Sequence, residues 1–350
     1  MSRTFELTPG YAISRVIRGG WQLAGGHGAI DPQQAVSDLV AAFDAGITTY
    51  DCADIYTGVE ELIGAARLRL AKERGADAAA RMKVHTKLVP DLEVLPKISR
   101  QYIRGIVETS LRRLGAERLD LVQFHWWDYS QPAYVDAMGW LNEMHLEGRI
   151  RNVGVTNFDV PRLTNILDAG VPLVSEQLQY SVLDQRPAGG LTDLARANDI
   201  KFLCYGTVAG GFLSERWLGA AEPDMRLENR SLVKYKLVID DFGGWVLFQE
   251  MLRALKAIGD KHGADIASVA SAWVLGQPLV AAVIVGARNQ HHALANAAIM
   301  DLKLDKDDLA SIQAVIDRSG GLAGDVYTLE RDRTGRHGSI MHYNLNAGRT

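Results

Sequence analysis

Apolar positions along this chain follow two alternating rhythms. Short β-branched and aromatic runs read as strands buried on both faces of a parallel sheet. Longer stretches with apolar residues three and four apart read as helices that lay one face on it. The predicted strand ends fall near residues 20, 51, 87, 125, 156, 177, 205 and 286. Between them the spacing predicts helices from Asp31-Pro32 to Gly46, over about 59–74, 99–114 and 133–147, from Asp159 and Pro161 onward, and over about 190–198. Asp31 and Asp159 have the chemistry of N-caps, and a proline in the first turn forfeits no hydrogen bond.

Eight strand-then-helix units predict an α/β fold of the (β/α)8 TIM-barrel type, whose site gathers at the C-terminal strand ends. A doubly wound open sheet is the alternative, but no Gly-x-Gly-x-x-Gly joins a strand to a helix. Two stretches depart from the repeat: residues 206–242, read as a long loop after the seventh strand, and a tail of about 318–350. The loop reads as a functional lid or a disordered segment. For the tail a second lid, a subunit contact and disorder all stay open. The expected organisation is a single domain over 1–350, with the barrel over about 14–317.

Composition narrows the setting. A chain of 350 residues, 47% hydrophobic and 23% charged, buries a sizeable core without staples. A net charge of -4, with basic residues dispersed, gives no reason to expect nucleic acid. The two cysteines, Cys52 and Cys204, make no disulfide framework, which fits a reducing compartment. Neither an export signal nor a membrane span is indicated, so a cytoplasmic location is expected by default. His291 and His292 are adjacent, diverge on a helix and lack evident partner ligands, so no metal is expected.

The chemistry lies where the predicted strands stop. The run Thr48-Thr49-Tyr50-Asp51 ends in an acid, with Tyr56 on the loop beyond, and the next two strands end in Lys87 and His125. A phenol is a poor proton donor at neutral pH. A nearby ammonium stabilises its phenolate, a carboxylate holds that ammonium in place, and an imidazole can orient the reacting oxygen. The set suits protonation of a carbonyl oxygen as hydride reaches its carbon. Each residue alone has an ordinary reading, as a cap, a surface lysine or a core aromatic; the shared position at strand ends shifts the weight.

The segments Gly46-Ile47-Thr48-Thr49-Tyr50-Asp51-Cys52-Ala53-Asp54-Ile55-Tyr56, Thr86-Lys87, Leu111-Arg112-Arg113-Leu114-Gly115 through His125, and Gly148 to Phe158 resemble, in order, those of the aldo-keto reductase superfamily. The resemblance implies a barrel that binds NADPH, with NAD left open, and a tetrad of Asp51, Lys87, His125 and the general acid Tyr56. It implies cofactor contacts at Gly20, Trp21, Gln22, Asp51, Thr156, Asn157, Gln177 and Tyr205. The loop residues Gly206, Thr207, Gly210 and Leu213 would cover the pyrophosphate, although Gly-Thr-Val replaces the usual Ser-Pro-Leu. Gly286, Arg288, His292 and Asn296 would hold the adenosine end, with Arg288 suited to a 2′-phosphate. Trp21, Tyr56, His125 and Trp126, joined by Trp127 and Trp217, would face a small carbonyl substrate.

Two other readings stay in view. The superfamily includes the β-subunits of potassium channels, so a cofactor-binding regulatory subunit with little turnover is one. A Schiff-base lyase using Lys87 is the other, opposed by the protonation that a pairing with Asp51 would impose.

Overall fold

A computed structural model of the chain describes residues 2–25, 30–287 and 290–346, apart from the side chain of His291. An antiparallel hairpin comes first, made of β1 (Thr4–Thr8) and β2 (Tyr11–Ser14). Then follow β3 (Val16–Gly19), β4 (Thr49–Asp51), β5 (Lys83–Leu88), β6 (Leu121–Phe124), β7 (Val153–Thr156), β8 (Leu173–Gln179), β9 (Lys201–Tyr205) and β10 (Val280–Gly286). These eight pair in parallel in chain order, and β10 returns to β3 to close a barrel. The expected TIM barrel is the observed fold.

Local chemistry sets the helix starts. Asp31 accepts from the amides of Gln33 and Gln34, and Asp159 from that of Arg162, each with proline in the first turn. Ser99 caps the helix Arg100–Leu114 in the same way, and Gly115 ends it in the left-handed region that glycine tolerates. Leu39, Ile63, Ile103, Leu141 and Ile166 put the apolar faces of successive helices into one core outside the barrel.

A smaller core fills the barrel floor. Leu7, Tyr11 and Ile13 of the hairpin meet Ile17, Leu121 and Leu203 of the strands, all at most 5% exposed. Above this layer the interior turns polar. Strand periodicity of two sends Asp51, Lys87, Gln123 and Gln177 inward from β4, β5, β6 and β8, where they hydrogen-bond to one another.

The reading of 206–242 as a loop is corrected. Its last third is the helix Arg230–Phe242, capped by Asn229 and burying Leu232, Tyr235, Val238, Ile239 and Phe242 on one face. The charged, glycine-containing stretch before it hid that periodicity. Trp217 joins Phe212, Trp245 and Phe248 in an aromatic cluster that anchors this lid to the helix Gly244–His262.

The tail, described through Asn346, crosses the C-terminal mouth of the barrel. Asp325 accepts from the Val160 amide at 2.8 Å, and Tyr343 packs edge-on against Trp127 at 5.2 Å. Asn346 donates to the Val89 carbonyl and, through its amide, to Asp91. Glu330, 2% exposed, receives Arg186 at 3.0 and 3.2 Å, and Lys234 of the lid helix approaches it to 3.7 Å. Burial opposes ionisation of Glu330, but Arg186 and Lys234 outweigh it and hold the carboxyl at about 2. Removing one member of a buried pair strands the other charge, at a cost of about 3–5 kcal/mol. Glu330→Ala is therefore expected to lower the thermal unfolding midpoint markedly and to expose the tail to protease. An unchanged midpoint with an intact tail would contradict that role.

Candidate active site

The barrel mouth is built around an ion pair. The Lys87 Nζ lies 2.6 Å from Asp51 Oδ2 and also donates to the Cys52 carbonyl at 3.0 Å. Both side chains are under a tenth exposed. Burial works against the ammonium, yet Asp51 and then Tyr56 outweigh it, so Lys87 stands above its ordinary value and stays protonated. A protonated amine is a poor nucleophile, which counts against the Schiff-base chemistry considered for Lys87.

Gln177 donates to Asp51 Oδ1 at 2.6 Å and to Gln123 Oε1 at 2.8 Å, and Gln123 donates to the same Asp51 oxygen at 3.3 Å. Asp51 is thereby fixed from β5, β6 and β8. A carboxylate only accepts, so the Gln177 nitrogen must face it and its carbonyl oxygen is left for the site. Gln123 escaped the sequence reading. Its place two residues before His125 on an inward-facing strand was the available signal.

Tyr56 follows β4 on a turn, its ring 5.1 Å from Lys87 Nζ and edge-on to Trp21 at 5.2 Å. Burial raises the phenol above its ordinary value, and Lys87 pulls it back only in part. The expected lowering by the ammonium is present in direction but loses to desolvation. Tyr56 thus remains a protonated donor through the neutral range.

His125 is 3% exposed, and its Nδ1 lies 3.2 Å from the Thr156 carbonyl. Burial first, then Arg331 of the tail, push its pKa down to about 3 against the help of that carbonyl. Trp127 stands edge-on to the imidazole at 4.3 Å and Tyr327 at 5.5 Å. Trp126 takes another direction: wholly buried, it packs on Phe124 and Tyr134 and donates to the Asp128 and Gln131 carbonyls. The structure thus brings Trp127, and not the expected Trp126, to His125.

The remaining expected residues sort by position. Gly20 donates to the Asp51 carbonyl at 2.8 Å, and a Cβ there would meet that oxygen at 2.7 Å, so only glycine fits. Gln22 packs on Gly286, whose carbonyl receives Asn296 at 3.0 Å. Asn157, in the left-handed region at φ 62, accepts from the Tyr205 hydroxyl at 2.8 Å, which leaves its amide N–H groups for the site. Gly206 and Gly210 lie under Tyr235 of the lid helix. Thr207 is bonded to Ser271 at 3.0 Å, and Leu213 is buried. His292 sits on the helix Gln290–Ala298. Arg288, with Gly26, His27, Gly28 and Asn289, lies outside the described residues.

The model of the aldo/keto reductase family matches residues 15–317. The chain belongs to that family. Aldo-keto reductase YhdN of Bacillus subtilis is 26% identical over 326 residues, spanning 91% of this chain and 95% of that protein. Flagellar radial spoke protein 5 of Chlamydomonas reinhardtii is 30% identical over 299 residues and 69% of this chain, though the match spans only 55% of its length. The solved glycerol dehydrogenase AKR11B4 of Gluconobacter oxydans superposes with a TM-score of 0.73 at 25% identity, covering 90% of this chain and 95% of that one. The aldo/keto reductase match stops short of the tail that brings Tyr327, Glu330 and Arg331 to the mouth.

One consequence concerns acid. An unfolded imidazole titrates near 6.5, whereas folded His125 does so near 3. Between those values the unfolded chain binds the extra proton, so stability is full above about pH 6.5 and falls as pH drops through the window. Urea unfolding between about pH 7 and about pH 4 is expected to show a shallower loss for His125→Gln than for the parent. Identical slopes would mean that His125 is not held neutral.

Proposed function

We propose that this protein is an NADPH-dependent oxidoreductase that reduces an aldehyde or ketone, or oxidises the corresponding alcohol, with Tyr56 as general acid. The observation that carries this reading is the buried Lys87–Asp51 pair beside Tyr56. Aldo/keto reductases of the same fold from Klebsiella pneumoniae are solved with NADP and with NADPH, whereas an Escherichia coli relative is named an NADH-specific methylglyoxal reductase. NADPH is the cofactor proposed here, and the titration below separates it from NADH.

The donor set fits a nicotinamide carboxamide. The Gln177 carbonyl oxygen is left as an acceptor and the Asn157 amide as a donor, the complement of an amide that has both. Thr156, Tyr205 and the glycine loop at Gly206 and Gly210 would complete the hold, with Gln22, Gly286, Arg288, His292 and Asn296 toward the adenosine end. When bound, the reduced nicotinamide supplies a hydride to the carbonyl carbon. Tyr56 gives its hydroxyl proton to the carbonyl oxygen, and Lys87, kept charged by Asp51, stabilises the phenolate left behind. Proton uptake from solvent restores the phenol.

Tyr56→Phe is expected to lower kcat by at least about 100-fold while NADPH affinity, read by tryptophan fluorescence, moves by less than about threefold. Parent-like turnover in that variant would remove Tyr56 as the acid. In the same titration NADPH is expected to bind more tightly than NADH. Folded protein that binds neither would overturn the reading.

A further inference from the structure

Asn157 sits in the left-handed region at φ 62, a setting that residues other than glycine keep only where their surroundings impose it. Three hydrogen bonds to barrel strands fix this turn. The Asn157 amide donates to the Gln177 carbonyl at 2.9 Å, and its Oδ1 accepts from the Tyr205 hydroxyl at 2.8 Å. The next amide, that of Phe158, donates to Glu176 at 2.8 Å. A further bond comes from the tail. Arg331 Nη2 donates to the Asn157 carbonyl at 2.6 Å, and to the Trp126 carbonyl at 3.2 Å.

The guanidinium is itself held in place. It lies 4.1 Å from the ring of Tyr129, on the loop after β6, and 5.1 Å from that of Tyr327 in the tail, both within cation–π range. Its Nε and Nη1 have no hydrogen-bond partner among the described residues, so the polar contacts of Arg331 pass through Nη2. Hydrogen bonds from a guanidinium are charge-assisted and stronger than those between neutral groups. With its backbone N–H, its backbone carbonyl and its side-chain oxygen all engaged, Asn157 has its side-chain NH2 left to offer.

We propose that Arg331 is a positioning residue for the cofactor: from the tail it fixes the Asn157 backbone, and with it the direction in which the Asn157 NH2 meets the nicotinamide carboxamide. The proposal rests on the reductase reading above. Arg331 makes its contacts at Trp126, Tyr129, Asn157 and Tyr327, none of them at the proposed adenosine end. Its action is therefore confined to the nicotinamide end, and docking of the tail completes the carboxamide hold.

Calorimetry on the full-length protein separates the two ends by comparing NADPH with 2′-phosphoadenosine 5′-diphosphoribose, the same cofactor without its nicotinamide. In Arg331→Met, which keeps an unbranched stem and removes the donors, NADPH is expected to bind at least about tenfold more weakly while the fragment changes by less than about twofold. Arg331→Lys, which keeps the charge without the planar fork, should fall between the parent and Arg331→Met for NADPH. In an Asn157→Ala background, Arg331→Met should add less than about twofold, because the group it positions is gone. Three outcomes would each overturn the role and leave the reductase reading intact: parent-like NADPH affinity in Arg331→Met, parallel loss of both ligands in both Arg331 variants, or additive losses in the double variant. Folded parent protein that binds neither NADPH nor the fragment would overturn both.

Discussion

A single ion pair, Lys87 on Asp51 inside the barrel, is the constraint to which the rest of the mouth answers. Two charges taken out of water are costly unless their remaining hydrogen-bonding capacity is met. Here the Cys52 carbonyl completes Lys87, and Gln123 and Gln177 complete Asp51. The pair therefore dictates polar residues on strands that would otherwise carry valine or isoleucine. It also fixes which way the Gln177 amide points. The barrel interior accordingly has an apolar floor supplied by the hairpin and an ionic upper storey.

The cover is held by the same physics with the opposite topology. Asp51 and Lys87 come from adjacent strands, whereas Arg186, Lys234 and Glu330 come from a loop after β8, the lid helix and the tail. Burial alone would neutralise Glu330; the two cations keep it ionised. A buried charge shared by three separate segments is satisfied only when all three are in place. The anchoring aromatic cluster of Phe212, Trp217 and Trp245 adds apolar burial on the lid's far side.

Much of this was legible in the chain. Strand ends carry their chemistry in sequence order, so Asp51, Tyr56, Lys87 and His125 could be read directly, and the caps Asp31 and Asp159 marked helix starts. What escaped depends on long-range contact. Nothing local to Glu330 announces that it will meet Arg186, 144 positions earlier in the chain. Adjacent tryptophans look alike in sequence, yet past the end of β6 only Trp127 reaches His125, and Trp126 goes to the helix-side core. The Tyr56 phenol shows the limit of pairwise reasoning: the lysine acts as expected, but burial acts more strongly. The lid helix was missed because a polar approach masked an amphipathic stretch.

The hairpin under the barrel has a consequence for traffic. With Leu7, Tyr11 and Ile13 packed into the floor, the barrel interior is closed from below. Any ligand of the Lys87–Asp51 pair then comes and goes by the mouth alone, past the tail that crosses it.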